Sequence, residues 1–169
     1  MFNLINDIID NSKDNGKITI IDGKVNVDGD FYLRVSRAFS LKKLPVQFGV
    51  VNGMFNCANV GLTTLIGCPV QVDGIFSCTN NEIESLVGGP KIVKNNYACF
   101  SNDRLTSFDG LPDTVGRIFV CDWKENLHML RLLQFNQVTI YENKTVGEII
   151  LKYAGKNHCV RQSFNVKGN

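Results

Sequence analysis

The sequence predicts a mainly β, α+β repeat solenoid: one parallel sheet of stacked turns, closed by a helix-hairpin cap at the N-terminus and a helical cap at the C-terminus. Three observations carry this. Four of the six cysteines, Cys57, Cys78, Cys99 and Cys121, stand 21, 21 and 22 residues apart, and a fixed period of that size marks a repeat architecture. Each cysteine sits in the same phrase, with an aromatic residue two positions earlier (Phe55, Phe76, Tyr97, Phe119) and a valine four before that (Val51, Val72, Val93, Val115). Within the phrase these residues alternate with others, the period-2 signature of a strand whose Val, Phe and Cys face one side.

Taken in chain order, residues 2–12 place Phe2, Ile5, Ile8 and Ile9 at helical spacing and predict a short amphipathic helix ending before Asn15-Gly16. Two alternating runs, Lys17–Ile21 and Lys24–Val27, flank Asp22-Gly23, a strong hairpin signal. Residues 1–26 are thus read as an N-terminal cap over a sheet edge that would otherwise invite pairing. Residues 27–125 hold the turns. A degenerate first copy starts at Val27, with Phe31, Leu33 in the cysteine slot, Leu41 and Pro45.

The next two copies agree throughout: Asn59 and Asn80, Leu62 and Ile83, Leu65 and Leu86, Gly67 and Gly88, Pro69 and Pro90. The third copy carries one residue inserted after Cys99, which moves the series to Asn102, Leu105, Phe108, Gly110 and Pro112; a fourth keeps Leu127 and Leu130. Gly and Pro supply turn chemistry at the far corner. The Asn column (Asn59, Asn80, Asn102) falls where the strand ends, where an amide can both donate to and accept from loop backbone that has no ladder partner. Stacking is obligatory, because a single turn cannot bury its own apolar side.

Residues 126–155 read as a C-terminal cap. Leu127, Leu130, Leu132, Leu133 and Phe135 have helical character, Gln137–Tyr141 is strand-like, and 145–154 reads as a helix with Val146, Ile149, Ile150 and Tyr153 inward, ended by Gly155. Residues 156–169 form a polar tail.

The run from Phe76 to Pro90, Phe-Ser-Cys-Thr-Asn-Asn-Glu-Ile-Glu-Ser-Leu-Val-Gly-Gly-Pro, resembles the short, irregular leucine-rich repeats of tailed-bacteriophage and bacterial proteins. The resemblance spans about two-thirds of the chain. It implies a leucine-rich-repeat-like solenoid, and, as function, a phage-type inhibitor or modulator of a host protein.

Chemistry is harder to find than architecture. A net charge of +2, from 18 basic and 16 acidic residues, excludes both a strongly basic nucleic-acid protein and an acidic mimic. The first ten residues carry no basic leader, and no apolar run approaches the ~20 residues of a membrane span, so a cytoplasmic protein with no membrane partner is expected. Neither His128 nor His158 has a Cys, Asp or His at ligand spacing, and no phosphate loop, nucleophile elbow or Cys-x-x-Cys occurs. A non-enzymatic chain without metal or cofactor is therefore expected. The Asp-Gly and Asn-Gly pairs are turn residues rather than a calcium loop. Leu33 in the cysteine slot makes the column core packing, since leucine replaces a packed thiol but not a ligand. Cys68 is read the same way, and Cys159 in the tail is the accessible thiol.

What remains is the other face of the sheet. The intervening residues form three rows across the turns, and the apolar ones, Tyr32, Met54, Ile75, Phe100, Ile118 and Val120, are the candidate partner-binding residues. They make a patch of roughly 300 Å². Three occupants compete for it: another protein, a second copy in a homo-oligomer, or the chain's own C-terminal segment. Charge is also uneven. Residues 57–114 carry −3 and residues 115–169 carry +4. Lys152, Lys156, Arg161 and Lys167 therefore keep nucleic-acid binding as the alternative.

Overall fold

The computed structural model describes residues 16–34, 40–122 and 129–141. The chain runs β1 (Lys17–Ile21), β2 (Lys24–Asp28), β3 (Phe31–Tyr32), β4 (Phe48–Val51), β5 (Phe55–Asn56), β6 (Gln71–Val72), β7 (Phe76–Ser77), β8 (Ile92–Val93), β9 (Tyr97–Ala98), β10 (Thr114–Val115) and β11 (Ile118–Asp122). A 3₁₀ helix, Met129–Gln134, and β12 (Gln137–Tyr141) follow. Two six-stranded sheets result: sheet A, in the order β1-β2-β4-β6-β8-β10, and sheet B, in the order β12-β11-β9-β7-β5-β3. Every pairing is parallel except β1 with β2. This is a β-solenoid.

The repeat is confirmed, but the predicted fold class is corrected in two respects. First, there are two parallel sheets where the sequence predicts one. Each phrase splits at its centre, Val72 lying in β6 and Phe76 in β7 with Asp73-Gly74 bending between them; Gly29, Gly53 and Gly74 hold the central position in three coils, Asn95 and Arg117 in the other two. At Gly74 glycine is required because the coils approach closely: a Cβ would lie 2.7 Å from the Gly53 carbonyl oxygen and 2.7 Å from the Met54 nitrogen. Second, no α-helix occurs among the described residues, and the helical caps are not seen. The hairpin at Asp22-Gly23, with φ of 51° and 72°, is the first strand pair of sheet A rather than part of a separate cap. Of the predicted C-terminal cap, 129–134 is a 3₁₀ helix and Gln137–Tyr141 joins sheet B beside β11. The predicted helices over 2–12 and 145–154 and the tail 156–169 lie outside the described residues.

Burial follows the phrase. Val27, Val51, Val72, Val93 and Val115 line the inside of sheet A, and Phe31, Phe55, Phe76, Tyr97 and Phe119 line sheet B. The aromatic rings form a continuous row, with centroids 5.4 Å (Phe31–Phe55), 6.0 Å (Phe55–Phe76), 4.8 Å (Phe76–Tyr97), 5.1 Å (Tyr97–Phe119) and 4.9 Å (Phe119–Phe135) apart. These spacings are those at which offset aromatic pairs attract beyond simple burial. The return limbs contribute Leu62, Leu65, Ile83, Leu86, Leu105 and Phe108 to the same core.

The far corner is a stack of three identical turns. Cys68 N–H donates to Leu65 C=O (2.9 Å), Gly89 to Leu86 (3.0 Å) and Leu111 to Phe108 (3.2 Å), with Gly67, Gly88 and Gly110 at φ of 100°, 87° and 86°. A positive φ at the third position is the type II turn requirement, which explains the repeated glycine.

Tyr97 is the odd ring in the row. Its hydroxyl is buried without a hydrogen-bond partner, and burial pushes the phenol well above its ordinary range. Room for it comes from Gly89, which stands where neighbouring coils have Cys68 and Leu111; a Cβ there would lie 3.1 Å from the Tyr97 oxygen. Tyr97→Phe is expected to raise stability by about 1 kcal/mol, since it removes an unpaired buried polar group at almost constant shape. The urea midpoint of the two proteins measures it.

Candidate interaction surfaces

The polar groups inside the solenoid are structural. The Asn81 amide nitrogen donates to the carbonyls of Cys57 (2.9 Å), Cys78 (3.0 Å) and Thr79 (3.3 Å), while its oxygen accepts from the N–H groups of Val60 (3.2 Å), Gly61 (2.9 Å) and Leu62 (3.0 Å). Asn102 repeats the donor half toward Cys78 (3.1 Å) and Cys99 (2.9 Å). The amide role predicted for Asn80 is thus played one residue later, by Asn81, whereas Asn59 is followed by the buried Val60. Asn59 and Asn80 are exposed corner residues at φ of 58° and 54°, joined to each other at 2.9 Å, and Ser101 at φ 57° is their counterpart in the next coil.

All five described cysteines are buried with free thiols. Cys57, Cys78 and Cys99 each donate weakly to a carbonyl one coil on, those of Ser77 (3.4 Å), Ala98 (3.5 Å) and Val120 (3.5 Å). Burial pushes the thiols of Cys68, Cys78, Cys99 and Cys121 above the ordinary range, so none is poised as a thiolate. Among the described residues no group of three or more His, Cys, Asp or Glu side chains is arranged to hold a metal ion. None of the described helices is long and apolar enough to cross a membrane.

The predicted outward row falls in register along sheet B, Tyr32 beside Asn56, then Ser77, Ala98 and Val120. Its six apolar candidates are all half-buried and do not form one patch. Met54 and Ile75 adjoin on neighbouring coils, as the 2.8 Å bond from Phe55 N–H to Ile75 C=O requires. Ile118 and Val120 on β11 lie with Phe100 toward the C-terminal end, Asn96 standing between Ile75 and Ile118 in the row. Tyr32 stands at the opposite end under the Arg34 guanidinium, 5.9 Å from the ring centroid. Polar Asn56, Ser77 and Thr79 separate the groups.

The most exposed apolar side chains lie elsewhere. Ile66 (59% exposed) and Val87 (50%) occupy the second position of two stacked type II turns, and Val70 (51%) and Ile92 (39%) follow where these coils enter sheet A. The coils touch here, since Val70 C=O accepts from Lys91 N–H at 2.9 Å and a Cβ on Gly88 would lie 2.6 Å from the Ile66 nitrogen. In the third turn the equivalent position is Asp109, paired with Arg131 at 3.1 Å, which ends the apolar ridge. The sequence held a signal for this ridge: Ile66 and Val87 are one period apart at a position the core does not use. Ile20 (73%) and Ile21 (58%) on β1 are exposed as well.

Beside the ridge, Asp73 receives hydrogen bonds from Lys94 (2.7 Å) and Gln71 (2.8 Å), which hold its carboxyl below the usual range. The unfolded chain, with an ordinary Asp pKa of about 3.9, then binds that proton more readily than the folded one. The contribution is present above about pH 4 and is lost as pH falls through the lower folded-state value. Asp73→Asn is expected to cost at most ~0.5 kcal/mol at neutral pH, as exposed ion pairs do, and nothing at the acid end. Urea melts across that pH range test both limbs.

A third feature is a groove at the C-terminal end of sheet A, of about 400 Å³, lined by β8, β10 and the residues leading into β12. The basic candidates Lys152, Lys156, Arg161 and Lys167, both histidines and Cys159 lie outside the described residues. Comparison with protein-family models, with curated proteins and with solved structures finds no match for this chain.

Proposed function

We propose that this solenoid is a non-enzymatic protein-binding module. The observation that carries the reading is the ridge of Ile66, Val70, Val87 and Ile92, exposed apolar side chains placed by adjacent coils on a rigid repeat. Large apolar residues held in water cost free energy that a partner's surface can recover, at about 25 cal/mol per Å² covered. The two apolar groups on sheet B, Met54 with Ile75 and Ile118 with Val120 and Phe100, form the second contact of the same proposal. The narrower role, inhibition or modulation of a host protein in the cytoplasm, is supported by the resemblance of the repeat phrase to short bacteriophage leucine-rich repeats.

Charge substitutions test it. Immobilised chain is expected to retain a protein from host lysate, and Ile66→Glu with Val87→Glu to abolish retention without lowering the melting temperature. Ile75→Glu with Val120→Glu is expected to weaken it. Retention unchanged by both pairs of substitutions would sink the proposal. Salt-sensitive retention of nucleic acid in place of protein would transfer the role to the basic C-terminal residues.

A further inference from the structure

Among the described residues, sheet A stops one strand short of sheet B at its C-terminal end. There β11 gains β12 as a parallel neighbour, whereas β10 has no described strand on its outer side. The space left is the groove of about 400 Å³, with Ile92, Val93, Val115 and Phe135 as its apolar lining and Lys94 and Asp113 among its polar residues.

The edge of this groove carries an unfinished backbone pattern. The carbonyls of Val27, Val51, Val72 and Val93 accept from the N–H groups of Asn52 (2.9 Å), Asp73 (2.9 Å), Lys94 (3.0 Å) and Gly116 (2.9 Å), each one residue past the valine of the next coil. Val115 is next in that series. Its neighbours Thr114 and Gly116 donate inward, to the carbonyls of Lys91 and Val93, so its own N–H and C=O point outward, where no described residue pairs with them.

The chain holds a segment that fits. All five coils share a valine, an aromatic residue four positions on, and an apolar residue two further: Val27, Phe31, Leu33 in the first, Val115, Phe119, Cys121 in the last. Within residues 142–169 the same phrase occurs at Val160, Phe164 and Val166. The connection is long enough. From the end of β12 to Val160 there are 18 residues, 142–159, against 14 (57–70 and 78–91) and 15 (99–113) in the limbs that carry the chain from sheet B back to sheet A. We propose that the groove beside β10 is the docking site for the chain's own residues 160–166. With Val160 opposite Val115, the Arg161 N–H donates to the Val115 carbonyl and the Cys159 carbonyl accepts from the Val115 N–H, as the valine-plus-one donors do in the earlier coils, and Phe164 and Val166 follow toward the outer edge of β12. At the other end of sheet A, the β1 edge that a second copy could bring head to tail is antiparallel to its sheet and lacks the phrase.

The register gives a test in the full-length chain. With Val160 opposite Val115, Cys159 falls opposite Thr114, as Ile92 does on the other side of β10. Neighbouring strand positions are within disulfide reach. Under oxidised glutathione, Thr114→Cys is expected to form an intramolecular 114–159 disulfide in most molecules, identified by peptide mass spectrometry. Adding Val160→Asp is expected to cut the yield at least tenfold. Asn52→Cys, an exposed position just past β4 and three strand pairings from β10, is the control and is expected not to link. No 114–159 disulfide, equal linkage at position 52, or yield unaffected by Val160→Asp would overturn the proposal, and disulfide dimers would assign the groove to a second copy instead.

Discussion

Asn81→Ala is expected to destabilise the protein by about 4 kcal/mol, the larger of the side-chain effects this fold predicts. Six backbone groups lean on one amide, three N–H donors at Val60, Gly61 and Leu62 and three carbonyls at Cys57, Cys78 and Thr79. Alanine leaves several of these buried and unsatisfied at roughly 1–3 kcal/mol each, partly relieved where water enters the vacated volume. Asn81→Asp is a sharper probe, because shape and acceptor survive while the donor that faces the three carbonyls becomes a second oxygen. It is expected to cost no less than alanine at neutral pH. Asn59→Ala is the control: its side chain is exposed and holds only Asn80, so the loss should stay near 1 kcal/mol, the scale of a left-handed corner residue. Urea unfolding of the three variants decides the matter. Equal losses at positions 59 and 81 would show that the buried amide does not carry the corner.

The pair also shows where sequence reasoning slipped. Cys78 is followed by Asn80 and Asn81, and Cys99 by Ser101 and Asn102. Matching Asn102 to Asn80 by residue type placed the extra residue of the third coil directly after Cys99. The backbone places it after Asn102, because Ser101 has the positive φ of the corner and Asn102 reaches the carbonyls that define the buried position. A polar residue at a buried position and one at an exposed corner look alike in sequence. They differ in what surrounds them, and only the neighbouring coil supplies that.

The core, in contrast, was legible almost in full. A period of 21 with valine, aromatic and cysteine in fixed places requires that each meet its own kind one coil away, and the observed rows obey this. The division into two sheets was hidden for a physical reason. Val72 and Phe76 point inward on both sides of the Asp73-Gly74 bend, so inward and outward residues keep their alternation through the corner and the pattern reads as one strand. The Asp28-Gly29, Asn52-Gly53 and Asp73-Gly74 pairs, turn residues inside the phrase, are the trace of the bend. The exposed ridge was missed because Ile66 and Val87 follow core leucines directly, and two adjacent apolar residues in a tight turn cannot both face in.

That same turn yields the second large effect. Gly88→Ala is expected to cost about 3 kcal/mol, and a paired experiment separates its two causes. Gly88 has φ of 87°, and a Cβ would sit 2.6 Å from the Ile66 nitrogen and 2.7 Å from its α-carbon, both backbone atoms of the preceding coil. Gly23, in the β1–β2 hairpin, has a similar φ of 72° but nothing within 4 Å of the same added carbon. Gly23→Ala therefore measures left-handed strain alone, about 1 kcal/mol. The remainder at Gly88 is the cost of forcing two coils apart, for which overpacking of ~1–3 kcal/mol is the guide. Backbone cannot swing aside as a flexible side chain does, so the separation propagates along the stack through bonds such as Lys91 N–H to Val70 C=O. Urea unfolding of both variants is the measurement. Indistinguishable losses would mean that the coils are not in contact at the corner, and that the repeated glycine serves the turn alone.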